Sequence, residues 1–334
     1  MPRGRSRSEV LTTSEDLAAL RPEWEALHTA VPDASPFTHP AWHAAWIGHA
    51  GAQAFPVFLA VRREEQLVGV TALDVGTPGH AATLGDPEIR DFGGPLALPG
   101  AEDETARGVL EWLGEDMTPA LSLWGVREDA PMRAAFAAQC ASLGWSLTED
   151  DETVAPMLAL PSSFEAYVAA LPKHDRHELR RKLRHLDDAG MVGFASVRGL
   201  EDVTAGLESL FALMRASHDG KRRFLTTEHE ALFRDLATAF APLGMVTLST
   251  LTLDGTAAAK LLSFETADAT YLYNSGYDPS MASLSVGLLS KAFAIREAID
   301  GGKRMFHFLR GAEPYKAHLG GTPLRLLTLA LRGR

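Results

Sequence analysis

Residues 245–316 read MVTLSTLTLDGTAAAKLLSFETADATYLYNSGYDPSMASLSVGLLSKAFAIREAIDGGKRMFHFLRGAEPYK, and the order of elements in this stretch decides the fold. Three β-type runs come first, Met245–Leu253, Ala257–Glu265 and Thr270–Asn274, the first two joined by a polar turn containing Asp254 and Gly255. A loop with glycine and serine then leads into a helix predicted over Ser285–Ile299. A short strand, Met305–Leu309, and a segment carrying Tyr315 close the stretch. A helix that begins in such a loop offers an anion its unpaired N–H groups and the positive end of its dipole. The run SLSVGLL (Ser283–Leu289) holds that position: Ser283 or Ser285 can cap the helix, and Gly287 lets a ligand approach the backbone. Asn274, Val286 and Leu288 complete this candidate anion site. Taken alone, the same residues describe a capped helix docked on a sheet; their place between Tyr271–Tyr277 and the strand MFHFL is what points to a ligand.

Upstream, the chain repeats this order. FLAVRREEQLVGVTAL (58–73) and LSTLTLDGTAAAKLLSF (248–264) both read strand, polar turn, strand, and helices precede both. The first follows a helix capped at Thr13, with Leu17, Leu20, Trp24 and Leu27 at helical spacing, and a second helix carrying Trp42 and Trp46. The second follows two helices broken by Pro172, a strand at 191–197 and helices at about 200–217 and 227–240. Two copies of one α/β unit are expected, with a boundary near 155–165. The domains are then a disordered arm at 1–10, a first unit at 11–160 and a second at 161–334.

A length of 334 residues agrees with two domains, and 46% hydrophobic residues exclude disorder as the general state. No apolar run follows Arg3, Arg5 and Arg7, and none elsewhere reaches bilayer length, so a cytoplasmic chain without a transmembrane segment is expected. Cys140 is the one cysteine and falls in an apolar helical run, where a buried thiol is expected rather than a nucleophile. The histidines show no metal-ligand spacing, so no metal is implied. The net charge of −11 is uneven. Residues 1–160 hold 10 Arg, no Lys and 24 Asp+Glu, whereas residues 161–334 hold 22 Lys+Arg against 19 Asp+Glu. A polyanionic ligand is expected on the second part. There, Arg176, Arg180 and Arg184 fall on one helix face, a candidate clamp for an anionic substrate or simply a solvated face. Lys221, Arg222 and Arg223, in an expected loop, are placed to reach the same substrate. DNA is not the expected partner, given the acidic balance and the lack of a recognition-helix pattern.

The segments DGTAAAKLLSF, YLYNSGYDPS, SVGLLSKAFAIREAIDGG and FHFLRGAEPYKAHLG, in this order, resemble the CelD/BcsL-type acyltransferases of the GNAT superfamily, distant relatives of the Fem-type transferases. LPKHDRHELRRKLRHLDDAG and the opening Trp24-x-x-Leu27 with PFTHPAWHAAW resemble the same family. The resemblance implies an α/β (α+β) chain of tandem GNAT-like acyl-CoA N-acyltransferase folds, with mixed sheets flanked by helices. It also implies acetyl-CoA or another acyl-CoA as co-substrate, bound at the start of the Ser285 helix. The acceptor it suggests is a small molecule or a saccharide or peptide precursor of the cell envelope or an exopolysaccharide. The chain departs from the family in two places. The usual Arg/Gln-x-x-Gly-x-Gly/Ala pattern is missing, and His307 stands where an Asp often precedes FLRG.

Acyl transfer from a thioester needs a base for the nucleophile's proton, a donor for the oxyanion and an acid for the leaving thiolate. Tyr315 is the candidate acid, Glu313 the candidate base, and Lys316 a cation for either ligand. Glu265 and His307 are secondary base candidates, and His307 and Arg310 join Arg176, Arg180 and Arg184 as candidate substrate-binding residues. Two rivals stay open: a Fem-like transferase fed by aminoacyl-tRNA, and a non-catalytic binding module on a decayed GNAT fold.

Overall fold

The computed structural model of the chain describes residues 6–51, 54–116 and 118–333. Two compact units emerge, one of Met1–Val154 with Leu324–Arg334 and one of Ala155–Pro323. Two differences from the expected boundaries follow. Residues 155–160 belong to the second unit, and the closing segment returns to the first, because its apolar alternation pairs it with first-unit strands.

The first unit opens on β1 (Ser6–Leu11), which pairs antiparallel with β2 (Pro56–Arg63). The expected arm at 1–10 is therefore a strand from Ser6 onward, because Ser6–Leu11 finds the open edge of β2, and Met1–Arg5 lie outside the described residues. Helix α1 (Ser14–Ala30) starts at Thr13 in a full capping box with Asp16. The unit continues through α2 (Pro40–Ala50), β3 (Gln66–Thr77), β4 (His80–Thr83), β5 (Leu96–Ala97), α3 (Glu102–Glu115), β6 (Ala120–Arg127), α4 (Pro131–Leu143) and β7 (Ser146–Val154). The last strand of the chain, β14 (Arg325–Arg332), lies between β6 and β7, giving the order β1-β2-β3-β4-β6-β14-β7 with β5 on β3. The pair β4–β6 is parallel, His80–Ala82 against Ala120–Ser122, with α3 in the connection. Strand alternation sends successive residues of β2 to opposite faces. Leu59 meets Val109, Leu113, Phe136 and Cys140 of α3 and α4, while Phe58 and Ala60 meet Leu17, Leu20 and Trp24 of α1. Cys140 is the expected buried thiol, and burial raises its pKa.

The second unit holds β8 (Met157–Ala159), α5 (Phe164–Ala170), α6 (Lys173–Asp187), β9 (Val192–Val197), α7 (Leu200–Ser217), α8 (Asp219–Phe224) and α9 (Thr227–Phe240). It continues with β10 (Val246–Leu253), β11 (Thr256–Glu265), β12 (Ala269–Tyr277), α10 (Val286–Asp300), β13 (Met305–His307) and α11 (Pro314–His318). The strand order is β8-β13-β12-β11-β10-β9, and here β12 and β13 form the parallel pair, with α10 in the connection. The expected repeat is thus realised in the sheets: hairpin, parallel pair and intervening helix occur in both units. On one face, Leu289, Ile295 and Ile299 of α10 pack with Leu251, Leu261 and Leu272 and with Phe164 and Leu179. On the other, the Phe264 ring stands 5.0 Å from that of Phe240 and 5.1 Å from that of Tyr273. Helix α7 approaches β12 so closely that a Cβ on Gly276 would lie 2.3 Å from the Met214 backbone nitrogen. A glycine is needed at this crossing.

A candidate active site where two parallel strands part

Strand β12 runs through nine residues, but its parallel partner stays with it only from Ala269 to Tyr271. Beyond that point β12 continues to Tyr277, held by β11, while the chain after β13 turns away through Leu309 in a left-handed conformation (φ 60°). The parting leaves a cavity of about 570 Å³, lined by Ser275 and Tyr277 of β12 on one side and by Glu313 and Tyr315 on the other. Its remaining walls are the end of α7 with α8, which contribute His218 and Lys221, and the start of α10.

Helix α10 begins at Ser285, itself left-handed (φ 58°), whose side chain makes no capping hydrogen bond. Serine was expected to cap the helix; the left-handed turn carries the hydroxyl away from the helix amides. The Ser285 carbonyl takes the Leu288 and Leu289 amides, and the Val286 and Gly287 amides find no acceptor among the described residues. Two uncapped amides at the positive end of a helix dipole are an anion site in waiting. Gly287 permits the geometry, since a Cβ there would stand 2.8 Å from the Tyr277 ring.

Two lysines enter this cavity. Lys291, one turn into α10 on its buried face, sends its Nζ back to the Gly287 carbonyl at 2.7 Å and lies 5.1 Å from the Tyr315 ring centre. Burial, with the positive charge of Lys221 nearby, brings its pKa down to about 7. Lys221, on α8, donates to the Ser275 carbonyl and, at 3.2 Å, to the Ser275 hydroxyl. Burial holds it at about 8, the carboxylate of Glu313 opposing the fall. The Tyr315 phenol is raised above its ordinary value by burial and by the negative charge of Glu313. At neutral pH the cavity therefore holds a largely charged lysine, a partly neutral one and a phenol that keeps its proton.

The predicted residues separate clearly. Tyr315, Glu313, Ser285, Gly287 and Leu288 line the cavity. Lys316 does not: its Nζ donates to the carbonyls of Leu309 at 2.9 Å, Arg310 at 2.5 Å and Gly311 at 3.1 Å and pairs with Glu313 at 2.9 Å. It fastens the turn that carries Glu313 and Tyr315. Val286 is buried in the core, Ser283 is exposed in the preceding turn, and the Asn274 side chain accepts from the Ser275 amide. Neither His307, stacked on Tyr271 with ring centres 4.4 Å apart, nor Arg310 lines the cavity. Glu265 sits at the far end of β11, paired with Lys303 at 3.3 Å, its pKa raised by burial. On α6, Arg176 donates to the Ala169 carbonyl at 2.8 Å, and Arg180 and Arg184 are exposed. None of the three lines the cavity. The expected loop around Lys221 is the short helix α8.

Sequence reasoning missed Lys291. The signal was present: a lysine inside LLSKAFAI, on a helix buried nearly all round, cannot reach solvent as an ordinary surface lysine does.

Residues 173–317 match the acetyltransferase (GNAT) domain family. Every residue that lines the cavity falls inside that GNAT span. Among solved structures, the chain is similar to FemX over 96% of both chains, with 12% identity and a TM-score of 0.67. It is also similar to a tandem GNAT protein from the clavulanic acid biosynthesis pathway, with 13% identity, 97% and 98% coverage and a TM-score of 0.53. A third likeness is the C-terminal domain of a putative lysylphosphatidylglycerol synthetase from Agrobacterium fabrum, with 10% identity, 95% and 92% coverage and a TM-score of 0.60. Identities this low speak for the fold alone, and the fold is tandem GNAT-like. A comparison with curated protein sequences finds no match. No helix among the described residues is long and apolar enough to cross a membrane.

Proposed function

We propose that the second unit transfers an acyl group directly from an acyl-CoA thioester, acetyl-CoA or another, to an amine or hydroxyl acceptor. The observation that carries this reading is the convergence, in one cavity, of the uncapped start of α10, the buried Lys291, the half-buried Lys221 and a protonated tyrosine. The residues fit a donor that carries phosphate: the uncapped start of α10, with the Gly287 amide at the cavity wall, suits the anion. A bound thioester supplies the activated acyl carbon.

The chain's own groups then divide the proton work. Lys291, neutral in part at pH 7, takes the proton of the attacking amine or hydroxyl; a pKa of about 7 suits that task. The Lys221 ammonium, fixed on Ser275, faces the charge that develops on the carbonyl oxygen. The Tyr315 phenol holds the proton that the departing thiolate needs. Glu313, half exposed at the cavity wall and anchored by Lys316, orients a cationic acceptor. Attack on the acyl carbon and loss of the thiol need no enzyme-bound acyl intermediate, since Cys140 lies buried in the other unit. The sequence segments resembling CelD/BcsL-type proteins support a saccharide or peptide precursor of the cell envelope or an exopolysaccharide as acceptor.

Titration of CoA against thermal stability, followed by acetyl transfer from labelled acetyl-CoA to a panel of amines and sugars, tests the proposal. Saturable stabilisation by CoA and transfer that Lys291→Met abolishes are expected. Stabilisation by aminoacyl-tRNA and not by CoA would replace the donor with the one a Fem-like enzyme uses. No transfer from either donor would leave a binding module.

A further inference from the structure

The first unit repeats the parallel pair and intervening helix of the second, yet the helix begins with the opposite charge. Where α10 presents uncapped amides with Lys221 and Lys291 nearby, α3 opens with Glu102, Asp103 and Glu104. The bias extends to the whole unit: Met1–Val154 with Leu324–Arg334 carries 13 Arg and no Lys against 24 Asp+Glu, whereas Ala155–Pro323 carries 19 Lys+Arg against 19 Asp+Glu. Three carboxylates in a first helical turn repel a diphosphate and attract a cation. A helix start of this charge does not suit the diphosphate of an acyl-CoA.

The first unit does contain a cavity. About 340 Å³ opens between the turn after α1, the Phe92–Pro99 segment, the start of α3 and the end of β6. That volume is within the range of small-molecule pockets. Its walls are mostly apolar, with Phe92, Leu96, Ala97 and Met132 among them. Buried Arg90 fixes the loop that carries Phe92, donating to the carbonyls of Leu84 at 2.5 Å and Phe92 at 2.9 Å. The polar groups on the walls are few: Asp33, Ser35, Thr38, Glu102, Arg127 and Asp129. Arg127 is bound in a fork to Asp129, at 2.9 and 2.8 Å, which neutralises that pair. Glu102 accepts only the Gly100 amide, at 2.7 Å, and the Asp33 carboxylate has no partner among the described residues. Ser35 is 7% exposed, and its hydroxyl makes no hydrogen bond among the described residues. That hydroxyl is available to a ligand on the wall.

We propose that this cavity is a second ligand site, and that it takes a compact apolar or aromatic molecule bearing a primary ammonium group. The apolar body lies against Phe92, Leu96, Ala97 and Met132, the ammonium faces Asp33 and Glu102, and the Ser35 hydroxyl accepts a hydrogen bond from it. The acyl-transfer cavity contributes nothing to this site, so the two readings stand or fall separately.

Calorimetric titration of the full chain with tryptamine, with indole-3-propionate as the charge-reversed probe of similar shape, tests the proposal. Tryptamine should bind saturably at one site, equally well with and without saturating CoA, and indole-3-propionate should not bind. Asp33→Asn with Glu102→Gln should weaken tryptamine at least tenfold, and Ser35→Ala by a smaller factor, both variants keeping the parent's melting temperature within a few degrees. Ala97→Phe, which fills the cavity, should abolish binding. Equal binding of both probes, loss of tryptamine binding in CoA-saturated protein, or undiminished binding in the Asp33/Glu102 variant would overturn the assignment. Failure of tryptamine to bind the parent would overturn it as well.

Discussion

Lys291 carries the proposed proton transfer, and its burial makes opposite predictions for activity and stability. Its pKa of about 7 in the folded protein lies below the 10.5 of a free lysine, so between these values the unfolded chain holds a proton that the folded chain does not. Stability therefore rises with pH across that window, and the whole cost of the buried charge is present below pH 7. Lys291→Met removes the cost: at pH 7 it should stabilise the protein by on the order of a few kcal/mol, read by urea unfolding. The same change should lower turnover by roughly 10²–10⁴, the range of a lost general base. In the parent, kcat/KM should climb through pH 7 as Lys291 loses its proton, and Lys291→Arg, charged at every pH used, should abolish that limb. Tyr315→Phe should cost about 10²-fold or more in turnover while CoA affinity stays within threefold, because the phenol is assigned to the leaving group and not to the phosphates. A Tyr315 variant that lost CoA binding and kept its turnover would reverse the assignment.

At the scale of elements, the proposed donor binding depends on the start of α10. Alanine ordinarily stabilises a helix relative to glycine by about 0.5–1 kcal/mol. At position 287 the sign should invert, because the added Cβ meets the Tyr277 ring at 2.8 Å. Gly287→Ala is expected to cost ~1–3 kcal/mol and to weaken CoA at least tenfold, checked by denaturation and calorimetry together. The sequence carried much of this element. Apolar periodicity placed the helix over Ser285–Ile299, within a residue of its actual limits, and the serine–glycine run at its start lies on the cavity wall. It could not show that Ser285 adopts a left-handed backbone or that Lys291 turns back to the Gly287 carbonyl, because both depend on how the turn after β12 packs. The basic face of α6 illustrates the converse. Spacing correctly aligned Arg176, Arg180 and Arg184, but helical periodicity fixes only which residues share a face, not what that face meets. Lys316 was selected for its neighbours in sequence, and its ammonium is spent on three carbonyls of the turn behind the cavity.

Across the whole chain, the paired strands divide the molecule differently from the order of its residues. The strand that completes the first sheet is the last to be made: β14 pairs with β6 through Leu326–Arg332 and with β7 through Arg325–Arg332, while β8, from the segment joining the units, takes the place beside β13 in the second sheet. The alternation of Leu327, Leu329 and Leu331 marks a strand but carries no information about partners, which is why a division by sequence order leaves the segment in the nearer unit. The consequence for stability is direct. Leu327, Leu329 and Leu331 are buried in the same cluster as Val109, Leu113 and Phe136, and the burial of each side chain contributes about 1.5–3 kcal/mol. Removing them also leaves β6 and β7 with facing edges that nothing pairs. Truncation after Pro323 should therefore destabilise the first unit by more than a typical domain's margin of about 5–15 kcal/mol, counting lost burial and lost ladder together. The second unit keeps its six strands and its cavity in full. Limited proteolysis of the truncated chain should cut throughout residues 6–154 and spare a fragment near 155–323, and that fragment should still be stabilised by CoA. Uniform protection of both halves would mean that β14 contributes little to the first sheet, and uniform digestion that the second unit cannot stand without the first.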